Sequence, residues 1–66
     1  MKPEEARIGQ TLQHVTSDPF ETNPHKIVIV DIKEGWFKYY FDFSPKSFHS
    51  SPLSYLEFYK IIKNPK

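Results

Sequence analysis

The alternation of apolar and polar positions changes character at Gly9. Residues 1–8 hold Pro3 and the charges Lys2, Glu4, Glu5 and Arg7 without a sustained period, so they read as a flexible leader with at most one helical turn from Glu4 to Arg7. Gln10 to Thr16 carries β-branched residues and predicts a first strand. Ser17-Asp18-Pro19 and Asn23-Pro24 are turn signals, because proline fixes φ and Asp or Asn side chains bond the local backbone. They bracket Phe20 in a loop of about nine residues, where an apolar ring is expected to fold inward as a lid on the core.

Lys26 to Phe43 is the most informative stretch. Lys26-Ile27-Val28-Ile29-Val30-Asp31-Ile32-Lys33 and Trp36-Phe37-Lys38-Tyr39-Tyr40-Phe41-Asp42-Phe43 flank Glu34-Gly35, a hairpin signal in which Gly35 supplies a positive φ. Asn or Asp would suit the first turn position better than Glu34. A loop of Glu34 and Gly35 sets Lys33 opposite Trp36, Ile32 opposite Phe37, Asp31 opposite Lys38 and Val30 opposite Tyr39. It likewise sets Ile29 opposite Tyr40 and Val28 opposite Phe41. One face then holds Val28, Val30, Ile32, Phe37, Tyr39 and Phe41, all apolar or aromatic. Cross-strand pairs such as Asp31 with Lys38 contribute roughly 0.2–1 kcal/mol each. A slip by one residue would bring Asp31 against Phe37 and Val30 against Lys38, which favours the two-residue loop.

Ser44 to Pro52, rich in serine and proline, reads as a loop. Ser51-Pro52 resembles an N-cap followed by proline at the first helical position, and Leu53, Leu56 and Tyr59 or Lys60 share a helical face. Two turns of α or 3-10 helix are expected there, with Ile61-Ile62 as a short last strand. Antiparallel strands with a helical turn before the last one predict a mainly β fold, a small antiparallel SH3-like barrel or half-barrel. Residues 1–8 form the leader, 9–63 the single domain and 64–66 a tail.

Length and composition sharpen this picture. A 66-residue chain has room for one domain and a thin core. With no cysteine, neither disulfides nor most structural zinc sites can add stability, which leaves an efficient core or a partner subunit. Aromatics make up 17% of the chain, more than a small interior can enclose, so about half are expected at the surface or an interface. Nine basic residues against eight acidic ones give a net charge of +1, unlike a dedicated nucleic-acid binder. Lys60, Lys63 and Lys66 follow the last acid, Glu57, and read as a solvated end. The first residues lack the apolar core of a signal peptide and no apolar run reaches ~20 residues, so a cytoplasmic protein without a membrane partner is expected.

Nothing in the spacing assembles chemistry. His14, His25 and His49 are scattered and have no carboxylate at ligand spacing, so they read as ordinary surface histidines with no metal. Ser44, Ser47, Ser50, Ser51 and Ser54 sit in turn contexts, and no nucleophile elbow surrounds them. Ser47 and His49 lack an orienting acid nearby. Gly9 and Gly35 are the only glycines, too few for a phosphate-cradling loop. No catalytic residue and no cofactor is expected.

Surface recognition remains. Trp36 and Tyr40 alternate with Lys38 on the hairpin face opposite the expected core, with Ile27, Ile29 and Lys33 on the neighbouring strand. Trp and Tyr bury much area with few torsions, so Trp36, Lys38, Tyr40, Ile29 and Lys33 are the candidate partner-binding residues. A loop, the helical turn or a second subunit covering this face is the competing reading.

The string Gly9-Gln10, Asp18-Pro19-Phe20, Ile29-Val30-Asp31-Ile32-Lys33-Glu34-Gly35-Trp36-Phe37-Lys38-Tyr39 and Phe58-Tyr59 resembles a group of short bacteriophage and prophage β-barrel proteins without assigned activity. Phe37 stands where valine is commoner in that group, and the closing aromatic pair is compressed. The resemblance implies a viral origin, and with it the host cell's cytoplasm. The expected function is a phage-encoded, non-catalytic protein-binding module that modulates or inhibits a host protein, with an antiviral-defence protein as one version. A homodimer stays open beside the foreign protein partner. Two alternatives stay open as well: a nucleic-acid-binding barrel using Lys33, Trp36, Lys38 and Tyr40, and a self-associating structural component.

Overall fold

Five antiparallel strands form one sheet in the computed structural model, which describes residues 1–15 and 25–65. They are β1 (Thr11–His14), β2 (Lys26–Lys33), β3 (Trp36–Phe41), β4 (Ser44–Pro52) and β5 (Tyr59–Lys63). Their order across the sheet is β4-β3-β2-β1-β5. The mainly β, antiparallel class is as expected. The sheet is not closed into a barrel, because β4 and β5 stay at opposite edges. A 3-10 turn at Pro3–Glu5 precedes β1, and a 3-10 helix at Leu53–Phe58 joins β4 to β5. The turn signals at 17–19 and 23–24, the Phe20 lid and the strand end at Thr16 lie outside the described residues.

The hairpin forms about Glu34-Gly35, with Lys33 opposite Trp36, Ile32 opposite Phe37 and Asp31 opposite Lys38. Gly35 sits at φ 80°, and no described non-glycine residue has positive φ. Glu34 therefore keeps a negative φ, the sign pattern of a type II turn, and the position does not require Asn or Asp.

Beyond Asp31 the register departs from the expected one. It shifts between Ile29 and Asp31, so Val30 is an extra residue and Ile29 faces Tyr39, Val28 faces Tyr40 and Ile27 faces Phe41. One inserted residue exchanges the two faces of a strand. Ile27 and Ile29 are consequently buried at 0% and 1% exposure, whereas Val28 and Val30 are only half-buried. The core face is Ile27, Ile29, Phe37, Tyr39 and Phe41, not the expected set with Val28 and Val30.

Ser44–Pro52 is a strand and not a loop. It pairs with β3 through Trp36–Pro52, Phe37–Ser51, Lys38–Ser50, Tyr39–His49 and Tyr40–Phe48. An edge strand is held by backbone bonds and keeps most side chains in water, so it needs no apolar alternation to betray it. The register jumps between Tyr40–Phe48 and Phe41–Ser44, which leaves Pro45, Lys46 and Ser47 as an irregular stretch before the regular part, 48–52. Both prolines thus stand where a missing N–H does little harm.

The core consists of Ala6, Leu12, Ile27, Ile29, Phe37 and Leu56, with Met1, Ile32, Tyr39, Phe41, Leu53, Tyr59 and Ile61 packed around it. The 3-10 helix contributes Leu56 and begins at Leu53, one residue later than predicted, with Pro52 at its N-cap and no side-chain cap bond. Residues 1–8, expected as a leader, lie against the domain. Ala6 is part of the core, and the Met1 amino group donates to the carbonyls of Leu56 (3.1 Å) and Tyr59 (2.5 Å). Gln10, 1% exposed, takes the Arg7 N–H on Oε1 at 2.7 Å. Its Nε2 donates to the Glu5 carbonyl at 3.1 Å. Gly9 (φ 94°) lies so close to the expected tail that a Cβ there would stand 3.0 Å from the Pro65 Cβ.

Candidate protein-binding face

β3 points Phe37, Tyr39 and Phe41 inward, so Trp36, Lys38 and Tyr40 fall on the opposite face. The cross-strand neighbours of these three are Lys33, Asp31 and Val28 on β2, and Pro52, Ser50 and Phe48 on β4. Trp36 is 52% exposed and Phe48 53%. Lys38 and Lys33 are exposed, and Tyr40 is half-buried. The Tyr40 and Phe48 rings meet edge to face at 6.0 Å, and the Lys38 ammonium stands 5.1 Å from the centre of the Phe48 ring. Such cation–π contacts at exposed sites contribute roughly 0.5–1 kcal/mol.

Asp31 and Lys38 are in register as expected, yet the Asp31 carboxylate accepts the Ile32 N–H at 2.9 Å and Lys38 turns to Phe48. Between these side chains lies a shallow depression of about 190 Å³, bounded by Asp31, Lys33, Trp36, Lys38 and Ser50. The 3-10 helix packs mainly on β5 and on the N-terminal turn, and its Leu56 enters the core on the other side of the sheet.

Four of the five candidate residues, Trp36, Lys38, Tyr40 and Lys33, therefore share one face. Ile29 does not. The Val30 bulge turns it into the core, and Ile27 with it. Phe48 is the member missed by sequence reasoning, since it lies in the stretch read as a loop; an apolar ring isolated among serines was its one signal.

A second aromatic cluster also escaped the sequence. His14, His25, Tyr55, Phe58 and Tyr59 line a cleft of about 230 Å³ beside the 3-10 helix. His14 and His25 stack at 4.9 Å between ring centres, and His25 Nε2 lies 2.9 Å from the Tyr59 hydroxyl. Burial, and secondarily the charge of Tyr39, pushes the Tyr59 hydroxyl up to about 12. His14 and His25 are half-buried and so are not the ordinary surface histidines expected, whereas His49 is exposed at the surface, where its ring meets those of Tyr39 and Phe41. The signal missed was spatial: β1 and β2 run side by side from His14 and His25. Of the described aromatics only Phe37 is fully buried, so more of them stand at the surface or half-covered than the limited capacity of a small interior requires.

Among the described residues, no three His, Cys, Asp or Glu side chains converge as a metal site would need, and no helix is long and apolar enough to cross a membrane. Comparisons with protein-family models, curated proteins and solved structures return no match.

Proposed function

We propose that the chain is an SH3-like half-barrel that works as a non-catalytic protein-binding module through the outer face of β2, β3 and β4. The fold part is supported by the return of β5 to the side of β1, the register shift at Val30 in β2, and the 3-10 helix before the last strand. One observation carries the binding part. Two large rings, Trp36 and Phe48, each about half exposed, flank Lys38 on a sheet face away from the 3-10 helix. Large rings left half in water gain most from a partner that covers them.

The resemblance to phage proteins supports a viral origin, a host-cytoplasmic setting and a bacterial protein as the partner, an inhibited defence protein being the concrete version. Immobilised wild-type chain and Trp36→Ala, both exposed to bacterial lysate, test the face. A protein held stoichiometrically by the wild type and lost by Trp36→Ala is the expected result. Equal recovery on both, or a salt-sensitive shift with single-stranded nucleic acid instead, overturns the reading.

A further inference from the structure

The free edge of β4 carries an inference about self-association. Leu53 N–H donates to the Gly35 carbonyl at 3.0 Å, one step beyond the Trp36–Pro52 pair and in the same register. Hydrogen-bonded and non-bonded pairs alternate along an antiparallel ladder. Ser51–Phe37 and His49–Tyr39 are therefore the bonded pairs. Pro52, Ser50 and Phe48 direct their backbone groups away from β3, to the side where no described strand follows.

We infer that this edge pairs with the β4 edge of a second copy, antiparallel, about a two-fold axis at His49. Phe48 of each copy then faces Ser50 of the other. The outward N–H and C=O of both residues are satisfied, giving four bonds across the axis.

Three features point to a second copy as the occupant. First, residues 47–53 carry no Asp, Glu, Lys or Arg, so an identical strand meets no fixed like charge. Second, the opposite edge, β5, bears Lys60 and Lys63 within its five residues, which repel a copy, whereas the one lysine of β4, Lys46, lies outside the Phe48–Ser50 stretch that pairs. Third, only six apolar side chains form the buried core of the described residues and the chain has no disulfide, a size class that commonly gains stability by oligomerising. The pairing would also join two Trp36–Lys38–Tyr40–Phe48 faces in one continuous surface.

Only a short edge is matched, so the dimer is weak and dissociates on dilution. Sedimentation of the full chain up to about 1 mM reads it directly, and proton exchange at the Phe48 and Ser50 amides locates it. The expected result is a concentration-dependent dimer in which both amides slow as the dimer fills. Ser50→Pro removes an outward N–H and no bond to β3, so this variant is expected to stay folded and monomeric. A chain still monomeric at about 1 mM overturns the inference, leaving the edge free or open to a foreign strand. So does a dimer whose Phe48 and Ser50 amides exchange equally fast at low and high concentration, a result that stands without any variant. Trp36→Ala reads the binding face separately, so loss of one property leaves the other standing.

Discussion

The Gln10 side-chain amide donates to the Asn64 carboxamide oxygen at 3.1 Å, tying the entry to β1 to the residue just after β5. With its bonds to Arg7 N–H and the Glu5 carbonyl, Gln10 is the one buried polar side chain among the described residues, and it acts as a bracket for the N-terminal segment. Gln10→Leu fills similar space but strands these backbone groups, which should cost about 2–4 kcal/mol. Asn64→Ala should cost less than about 1 kcal/mol, since Asn64 is exposed and water replaces it. Urea unfolding of the two variants checks the order. Wild-type stability in Gln10→Leu would remove the bracket from the account.

The bulge at Val30 makes a sharper prediction, because it decides which neighbours in β2 belong to the core. Ile27→Ala should destabilise by about 2–5 kcal/mol, enough to unfold much of so small a domain. Val28→Ala, on the half-buried side, should cost about 1 kcal/mol. Thermal unfolding followed by circular dichroism ranks them. The reverse order would mean that the strand runs straight through Val30.

The same bulge explains how far the fold could be read from the residues. Glu34-Gly35 and the three pairs nearest it follow from local turn chemistry and alternation, and they form as expected. A run of five β-branched or apolar residues from Ile27 to Val30 and Ile32 looks alike on both faces, so no polar residue marks where a residue has been inserted. Alternation alone therefore places Ile29 on the binding face. β4 was illegible for a different reason. Its order comes from the β3 backbone beside it, which sequence composition does not record. Trp36, Lys38 and Tyr40 were legible because they alternate on a strand whose direction the turn sets; Phe48 needed β4.

The two glycines should differ in what they tolerate. Gly35→Ala meets nothing within 4 Å and has only the positive φ to contend with, about 1 kcal/mol. Gly9→Ala adds a close approach to Pro65 at 3.0 Å to a similar φ, and should lose more. In a domain of this size about 1 kcal/mol lowers Tm by roughly 4–8 °C, so a melting comparison resolves the pair. Equal losses would show that Pro65 moves aside freely.

Tyr59 ties the stability of the fold to alkaline pH. Burial first, and the charge of Tyr39 second, holds its hydroxyl up to about 12 against the ordinary 10.0. Between those two values the unfolded chain has released this proton and the folded chain still binds it. Its contribution to stability is therefore whole below pH 10.0 and is lost as pH rises towards about 12. Absorbance titration of the wild type minus Tyr59→Phe should isolate a phenolate step near 12. Tyr59→Phe also removes the hydroxyl that lies 2.9 Å from His25, so it should be somewhat less stable at neutral pH. Its stability should nonetheless fall less steeply than that of the wild type through the alkaline range. A difference step at the ordinary value instead would mean that water reaches the hydroxyl, and that the cleft between His25 and Tyr59 is more open than the packing of its rings implies.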